Sequence, residues 1–262
     1  KPLYYAEAGG ALYFASELDS LLRAQCVDES LDPTALDAYL SYLYIPAPGT
    51  IYRGARKLCP GEILTYERGN VTLRNYWQPR YDLNETWSLD DAAARLRELL
   101  NDAVRLRRVA DVPLGAFLSG GLDSSAIVAT LAQQSAEPIR TFSIGFDDPT
   151  ANELPYAAEV ASRFNTTHTE AIAKPDLVDL APRIARHFGE PFADSSAIPT
   201  WMVSELARRD VTVALSGDGG DELFAGYTWT RMNRIVNQLR AIPKPMRSLA
   251  RAGLNILPHT TA

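Results

Sequence analysis

Cysteine and histidine are scarce in this sequence of 262 residues, which contains two Cys and three His. Cys26 and Cys59 match no CxxC spacing, and no two His have the spacing of metal ligands. A disulfide-framed secreted fold and a zinc site are therefore not expected. No run of about 18 apolar residues occurs, and residues 1–30 contain no signal segment. We expect a cytoplasmic protein without a membrane partner.

Basic residues are too few for a bulk nucleic-acid binder, which normally carries a broad basic surface. The chain has 26 Lys and Arg against 32 Asp and Glu, a net charge of −6. Residues 231–262 are the exception, with six basic and no acidic side chains. Contacts of this segment with a membrane or phosphates are the weaker interpretation. Because Ile235, Leu239 and Ile242 recur at helical spacing, we interpret the basic residues as solvated helix faces, and we expect no nucleic-acid partner.

The length lies between that of one average domain and that of two, and the first residue is Lys1 rather than Met. We therefore expect a fragment or a processed form. Residues 1–80 are typical of short antiparallel strands, with one hairpin around Gly9-Gly10, another around 68–70, and a helix opened by Asp32-Pro33. We expect this region to be too short and too rich in strands to bury a core alone.

From Ser88 onward, apolar strands alternate with amphipathic helices. The predicted strands are 112–118, 139–146, 168–173 and 211–215. The predicted helices begin at Ser88 and then cover 126–134, 154–164, 177–188 and 202–209. This order is typical of right-handed βαβ units, so it predicts an α/β fold with a parallel sheet and helices on both faces.

A glycine-rich loop, 119–125, follows the first of these strands and precedes a helix. Its glycines let backbone N–H groups converge, and the helix adds a positive N-terminal end, so the expected ligand is an anion. Asp123 would repel a bare phosphate, which suggests that it binds an accompanying Mg²⁺. The commoner phosphate motifs do not fit. Gly121 stands where a Walker A loop has Lys, and no GxGxxG or GxSxG motif is present.

The string SGGLDSS at 119–125 resembles the pyrophosphate loop of the N-type ATP pyrophosphatases. The string SGDGGDELFAGY at 216–227 resembles the signature of glutamine-hydrolysing asparagine synthetases. Residues 1–5 and 12–17 are similar to the closing strands of that family's glutaminase domain, and 190–196 to a segment of its synthetase domain. The resemblance thus covers essentially the whole chain in the family's order.

This resemblance implies two domains. Residues 1–80 would be the C-terminal part of a glutaminase domain with an N-terminal nucleophile, plus a linker. Residues 81–262 would be an asparagine synthetase domain of the ATP pyrophosphatase fold, truncated at its C-terminus. The family's N-terminal Cys and its C-terminal Lys have no counterpart in this sequence. We therefore expect the isolated chain to be catalytically incomplete.

The family's reaction uses ammonia from glutamine. ATP activates the β-carboxylate of aspartate as β-aspartyl-AMP with release of pyrophosphate, and ammonia then displaces AMP. The implied ligands are ATP, Mg²⁺, aspartate, and glutamine or ammonia, and a homodimer is left open. Two alternatives also remain open, namely an asparagine synthetase-like amidotransferase or β-lactam synthetase acting on another carboxylate, and a non-catalytic nucleotide-binding relic.

Residue roles follow by position. The resemblance assigns ATP binding to Leu118, Ser119, Gly120, Gly121, Leu122, Asp123, Ser124, Ser125, Ile144, Ser216 and Gly217. Asp123 and Asp221 are the expected Mg²⁺ ligands, since two carboxylates beside a triphosphate need a cation between them. Asp218, Asp221 and Glu222 are the catalytic candidates. Asp218 would orient aspartate or ammonia, or take a proton from the attacking nitrogen, whereas Glu222 could equally be a helix-start carboxylate. His168 and His187 are expected to be structural.

Overall fold

The computed structural model describes residues 2–81, 86–150, 152–174 and 176–241. The elements of its N-terminal region are β1 (Tyr4–Ala8), β2 (Ala11–Ala15), α1 (Leu18–Arg23), α2 (Pro33–Tyr42), β3 (Arg56–Lys57), β4 (Glu62–Glu67) and β5 (Asn70–Asn75). Strands β2, β1 and β3 form one antiparallel sheet, and β4 pairs with β5 in a second. Both predicted hairpins are confirmed. Gly9 and Gly10, with φ of 58° and 75°, form a two-residue turn of the type that favours positive φ at both positions.

The N-terminal region contributes a small buried cluster that residues from the second part of the chain also contact, since an ideal Cβ on Gly189 would lie 3.3 Å from Cβ of Leu18 and the Ile51 N–H donates to Glu190. The expectation that this region is too short and too rich in strands to bury a core alone stays a prediction. Seven buried residues form this cluster: Tyr4, Leu18, Leu21, Ala35, Ile45, Ile51 and Ala55. Two of them belong to α1, which was not predicted because it spans six residues and has no side-chain cap. Two more, Ile45 and Ile51, lie in irregular chain, where no periodic pattern indicates burial.

The second part of the chain alternates helices and strands as predicted. Its elements are α3 (Leu89–Arg107), β6 (Leu114–Phe117), α4 (Leu122–Gln134), β7 (Arg140–Gly145), α5 (Leu154–Arg163), β8 (Thr167–Ile172), α6 (Leu177–Phe188), α7 (Ala197–Ala207), β9 (Val213–Leu215), α8 (Gly220–Phe224) and α9 (Thr228–Ala241). Helices α4 and α7 begin four and five residues earlier than predicted, and α8 was missed. Helix α9 agrees with the helical spacing of its sequence, whereas Ile242 and the rest of the basic segment lie outside the described residues.

The four strands β6 to β9 form one parallel sheet in the order β8-β7-β6-β9. On one face, α3, α4 and α5 bury residues such as Val104, Leu131 and Ala157. On the other face, α7 packs its Leu206 against Phe142 of β7. The predicted parallel sheet with helices on both faces is therefore confirmed. Because β6 and β9 are parallel neighbours, the loops that follow them emerge at the same edge. Within the described ranges, no helix is long and apolar enough to cross a membrane.

Candidate functional site

The loops after β6 and β9 open into one cavity of about 990 Å³. Ten of the fourteen predicted site residues line it: Ser119, Gly121, Leu122, Asp123, Ser124, Ser216, Gly217, Asp218, Asp221 and Glu222. The other four, Leu118, Gly120, Ser125 and Ile144, are not among the lining residues. The structure therefore brings most of the two predicted loops to one place.

The two loops touch at two glycines of the second loop. An ideal Cβ on Gly217 would lie 2.7 Å from the backbone nitrogen of Ser124, and one on Gly220 would lie 2.4 Å from Cγ of Asp123. Real Cβ atoms essentially never approach other atoms so closely. The absence of side chains at these positions therefore lets the second loop sit directly on the start of α4.

Serine hydroxyls shape the first loop from within. The Oγ atoms of Ser119 and Ser124 lie 2.9 Å apart in a hydrogen bond, Ser124 Oγ accepts from the Ser119 N–H at 3.2 Å, and Ser119 Oγ accepts from the Gly121 N–H at 3.1 Å. These two hydroxyls bond to each other rather than pointing freely at a ligand. The Ser125 hydroxyl is buried and has no hydrogen-bond partner among the described residues.

The predicted residues that do not line the cavity support it from behind. Leu118 is 1% exposed and packs in the core beneath α4, and Ile144 packs beside Phe142 on the opposite face. Gly120 has a φ of 83°, and an ideal Cβ on it would lie 2.5 Å from Cβ of Tyr156. Only glycine fits this turn without displacing α5.

The cavity wall is strongly acidic. Six carboxylates line it: Asp123, Asp194, Glu205, Asp218, Asp221 and Glu222. Arg208 is the single Lys or Arg among its lining residues in the described part of the chain. No group of three or more His, Cys, Asp or Glu suited to a metal ion occurs within the described ranges. An anionic ligand in such a cavity needs a cation to accompany it.

Two hydrogen bonds fix carboxylates of the second loop. Ser216 Oγ donates to Asp218 Oδ2 at 2.9 Å, and Tyr227 Oη donates to Glu222 Oε1 at 2.6 Å. The bond from Tyr227 lowers the pKa of Glu222, and the same bond raises the pKa of Tyr227 to about 12. Glu222 lies in the first turn of α8 and also faces the cavity, so both interpretations of its role are consistent with its placement.

Replacing Tyr227 with Phe should raise the pKa of Glu222, because the ionised carboxylate loses the hydrogen bond that stabilises it. If turnover requires ionised Glu222, the pH at which activity is lost on acidification will then move to a higher value. The pH profile of kcat/KM measures the shift of this acid limb. Tyr81→Phe, at a tyrosine that is 86% exposed, is the matched control. An acid limb that stays in place in Tyr227→Phe would contradict the prediction.

A helical wall of the cavity was missed from the sequence. One stripe of α7 and the residue after it lines the cavity at helical spacing: Ala197, Thr200, Trp201, Ser204, Glu205 and Arg208. Because the predicted helix began at 202, only half of this stripe was visible. The preceding segment adds Phe188, Phe192 and Asp194. The spacing of mixed polar and aromatic residues from 197 onward is the signal that could have revealed the wall.

His168 and His187 differ in placement. His168 Nδ1 forms a hydrogen bond with Thr141 Oγ1 at 2.9 Å, and burial lowers the pKa of its ring. Its Nε2 is also buried and has no hydrogen-bond partner among the described residues. These contacts agree with a structural role. His187 lines the cavity, with its ring centroid 5.4 Å from that of Trp201. Arg183 lies over the same indole ring at 5.4 Å.

Comparison with known proteins gives two family matches, asparagine synthase over residues 95–258 and the glutamine amidotransferase domain over residues 1–77. Asparagine synthetase [glutamine-hydrolyzing] 1 of Bacillus subtilis is 35% identical over 99% of this chain and 41% of its own length. Putative asparagine synthetase [glutamine-hydrolyzing] 2 of Methanocaldococcus jannaschii is 37% identical over 94% of this chain and 49% of its own length.

The chain therefore spans less than half the length of these relatives. Among solved structures, the NH3-dependent NAD synthetase from Campylobacter jejuni matches with a TM-score of 0.36 and 12% identity, over 51% of this chain and 60% of that chain, which is too weak to bear on function. The family match covers more than half of the sequence and both loops of the cavity. This chain belongs to the asparagine synthase family.

Proposed function

We propose that this chain carries the ATP-binding and carboxylate-activating site of a glutamine-hydrolysing asparagine synthetase. The observation that supports this most is the contact between the two glycine-rich loops at the edge of the parallel sheet, around one acidic cavity. Ligands of open α/β sheets bind at this edge. The family match and the names of the relatives agree with such a site.

The start of α4 is suited to the pyrophosphate end of ATP. The first N–H groups of a helix have no partner within it, and they carry the positive end of the helix dipole. In α4 these groups belong to Leu122, Asp123 and Ser124, all of which line the cavity. The bonded hydroxyls of Ser119 and Ser124 hold the preceding backbone in place, so the loop is arranged before the ligand arrives.

Asp123 and Asp221 are the residues that would hold Mg²⁺. Carboxylate oxygens are the ligands that Mg²⁺ prefers, and sites for nucleotide-bound Mg²⁺ commonly use one or two of them, with phosphate oxygens and water completing the coordination. Both side chains line the cavity. When bound, the ion would offset the repulsion between the phosphates and this acidic wall and stabilise charge that develops on the leaving pyrophosphate.

The proposed reaction has two steps. An oxygen of the aspartate β-carboxylate attacks the α-phosphorus of ATP, which forms β-aspartyl-AMP and releases pyrophosphate. Ammonia then attacks the acyl carbon, loses a proton and displaces AMP. Asp218 lines the cavity and accepts a hydrogen bond from Ser216, and we assign it to accept that proton or to orient the nucleophile. We assign these steps to residues 81–262, and we assign residues 1–80 to the end of the domain that supplies ammonia from glutamine.

The test is aspartate-dependent pyrophosphate release by the complete protein, with ATP, Mg²⁺ and ammonium chloride. We expect pyrophosphate, AMP and asparagine in equal amounts, and no pyrophosphate without aspartate. Pyrophosphate release that requires a different carboxylate would point to an asparagine synthetase-like amidotransferase instead. Binding of Mg²⁺ and ATP without turnover on any carboxylate would overturn the proposal in favour of a relic.

A further inference from the structure

A buried ion pair joins the N-terminal region to the wall of the cavity. Lys57, in β3, pairs through Nζ with Oε1 of Glu190, two residues beyond the end of α6. The two side chains are only 14% and 9% exposed. A pair this deep contrasts with the exposed pairs elsewhere in the described chain, such as Lys174–Asp147, whose side chains are 73% and 72% exposed.

Both ends of the pair are also bonded to the N-terminal backbone. Lys57 Nζ donates to the carbonyl oxygen of Ile45 at 2.6 Å, and Glu190 Oε2 accepts from the Ile51 N–H at 3.3 Å. Burial raises the pKa of Glu190, and the hydrogen bond and charge of Lys57 together with the Ile51 N–H oppose that rise. The Glu190 carboxylate is therefore bonded to the N-terminal region through both of its oxygens, and breaking such a buried pair is strongly destabilising.

Glu190 lies between two stretches that line the cavity. His187 and Phe188 precede it, and Phe192 and Asp194 follow it. Phe188 and Phe192, which flank Glu190 in the sequence, have ring centroids 4.4 Å apart. Any displacement of Glu190 would therefore move cavity-lining side chains on both sides of it.

Two further contacts attach the same segment to the N-terminal region. The Ala193 N–H donates to the carbonyl oxygen of Leu43 at 2.9 Å. Gly189 ends α6 with a φ of 70°, and an ideal Cβ on it would lie 3.3 Å from Cβ of Leu18 in α1. The segment 187–196, which we call the anchored wall, thus contacts the N-terminal region at Gly189, Glu190 and Ala193.

We propose that Lys57 and Glu190 are positioning residues that fix the anchored wall. Through this ion pair, the N-terminal region would set the geometry of the part of the cavity that binds the carboxylate substrate. The two glycine-rich loops, the anchored wall and α7 all line the cavity. We assign the loops to the nucleotide, and the anchored wall and α7 to the carboxylate substrate. This assignment of sides rests on the proposed function. The mechanical part of the proposal, that the ion pair holds the wall, does not.

The first test is Lys57→Met in the complete protein, with Lys174→Met as matched control, since both variants remove one Lys of an ion pair. Hydrogen exchange should become about tenfold faster or more at the backbone amides of the anchored wall in Lys57→Met, while β6 and α4 stay protected. In ammonium-driven pyrophosphate release, the KM for aspartate should rise about tenfold or more and the KM for ATP should stay the same. Lys174→Met should match the unmodified protein in every measurement.

A double variant separates positioning from stability. Removing one partner of a buried pair leaves an uncompensated charge, whereas neutral groups at both positions restore most of the stability. Lys57→Met with Glu190→Gln should therefore regain the melting temperature lost in Lys57→Met but keep the fast exchange in the anchored wall. If the double variant recovers slow exchange as well, or if Lys57→Met never accelerates it, the proposal is overturned. If the unmodified protein shows no aspartate-dependent turnover, the proposed function is refuted but the positioning role is not. Hydrogen exchange still tests whether the ion pair holds the anchored wall.

Discussion

Asp123→Asn should abolish Mg²⁺-dependent pyrophosphate release, with a loss of at least about a hundredfold, since even residues behind a metal ligand commonly cost 10–100-fold when replaced. The amide keeps the shape of the side chain but removes the charge that Mg²⁺ requires. Asp123 is also the contact point of the two loops, because Gly220 packs against its carboxyl carbon. Pyrophosphate release with saturating ATP, aspartate and ammonium is the measurement.

Asp90→Asn is the matched control for this experiment. Asp90 is the second residue of α3, as Asp123 is of α4, so both changes remove an acidic group from the same position of a helix. Asp90 is exposed and does not line the cavity, and its replacement should leave pyrophosphate release unchanged. Glutamine hydrolysis by the complete protein should survive Asp123→Asn. Near-normal pyrophosphate release in Asp123→Asn would show that the first loop does not bind the metal.

Gly217→Ala should weaken the binding of Mg²⁺ and ATP by about 10- to 100-fold, the equivalent of the 1–3 kcal/mol that overpacking typically costs. The added methyl group would lie 2.7 Å from the backbone nitrogen of Ser124 and 2.9 Å from the carbonyl carbon of Asp123. Backbone atoms cannot move aside as the end of a flexible side chain can, so the two loops must separate. Calorimetric titration with a non-hydrolysable ATP analogue and Mg²⁺ measures the change.

Gly219→Ala provides the contrast within the same loop. Gly219 has a φ of 93°, and an ideal Cβ there has no neighbour within 4 Å. Alanine at this positive φ should lower the free energy of unfolding by about 1–2 kcal/mol, which a lower melting temperature will show. The variant should keep most of its nucleotide affinity. If Gly217→Ala binds the analogue as well as Gly219→Ala does, close contact of the loops is not required for binding.

Most of the sheet could be predicted because its signals are local. Runs of apolar and β-branched residues mark β6, β7 and β9, and β8 has two Thr and an Ile among its six residues. The predicted start of α3 is confirmed by the Ser88 side chain, which accepts a hydrogen bond from the Asp91 N–H. The start of α4 was placed too late because its first turn is Leu122 to Ser125, which reads as loop sequence. The same turn is in close contact with Gly217 and Gly220, which lie almost a hundred residues away in the sequence.

The two glycine-rich loops of the candidate site could be predicted from the sequence, whereas its helical wall could not. Ser119 and Asp218 belong to strings with recognisable composition, whereas Trp201 and Arg208 are ordinary helix residues whose position at the cavity depends on how α7 packs. The pairing of Lys57 with Glu190 depends on contacts across 133 positions of sequence, so no local pattern could indicate it. Long-range packing therefore determines the part of the site that the sequence did not show.

The sheet order also sets the sequence of events in folding. Strand β9 pairs with β6, yet the whole of α4 to α7 lies between them along the chain. At a synthesis rate of 5–20 residues per second, the second loop leaves the ribosome about 5–20 s after the first. Until then, the β6 edge that β9 later covers is unpaired and exposed to wrong partners. If the cavity binds nucleotide as proposed, the ligand can stabilise the protein only after β9 has paired with β6. Added nucleotide should then rescue variants that unfold too readily, but not variants whose folding stops before β9 pairs.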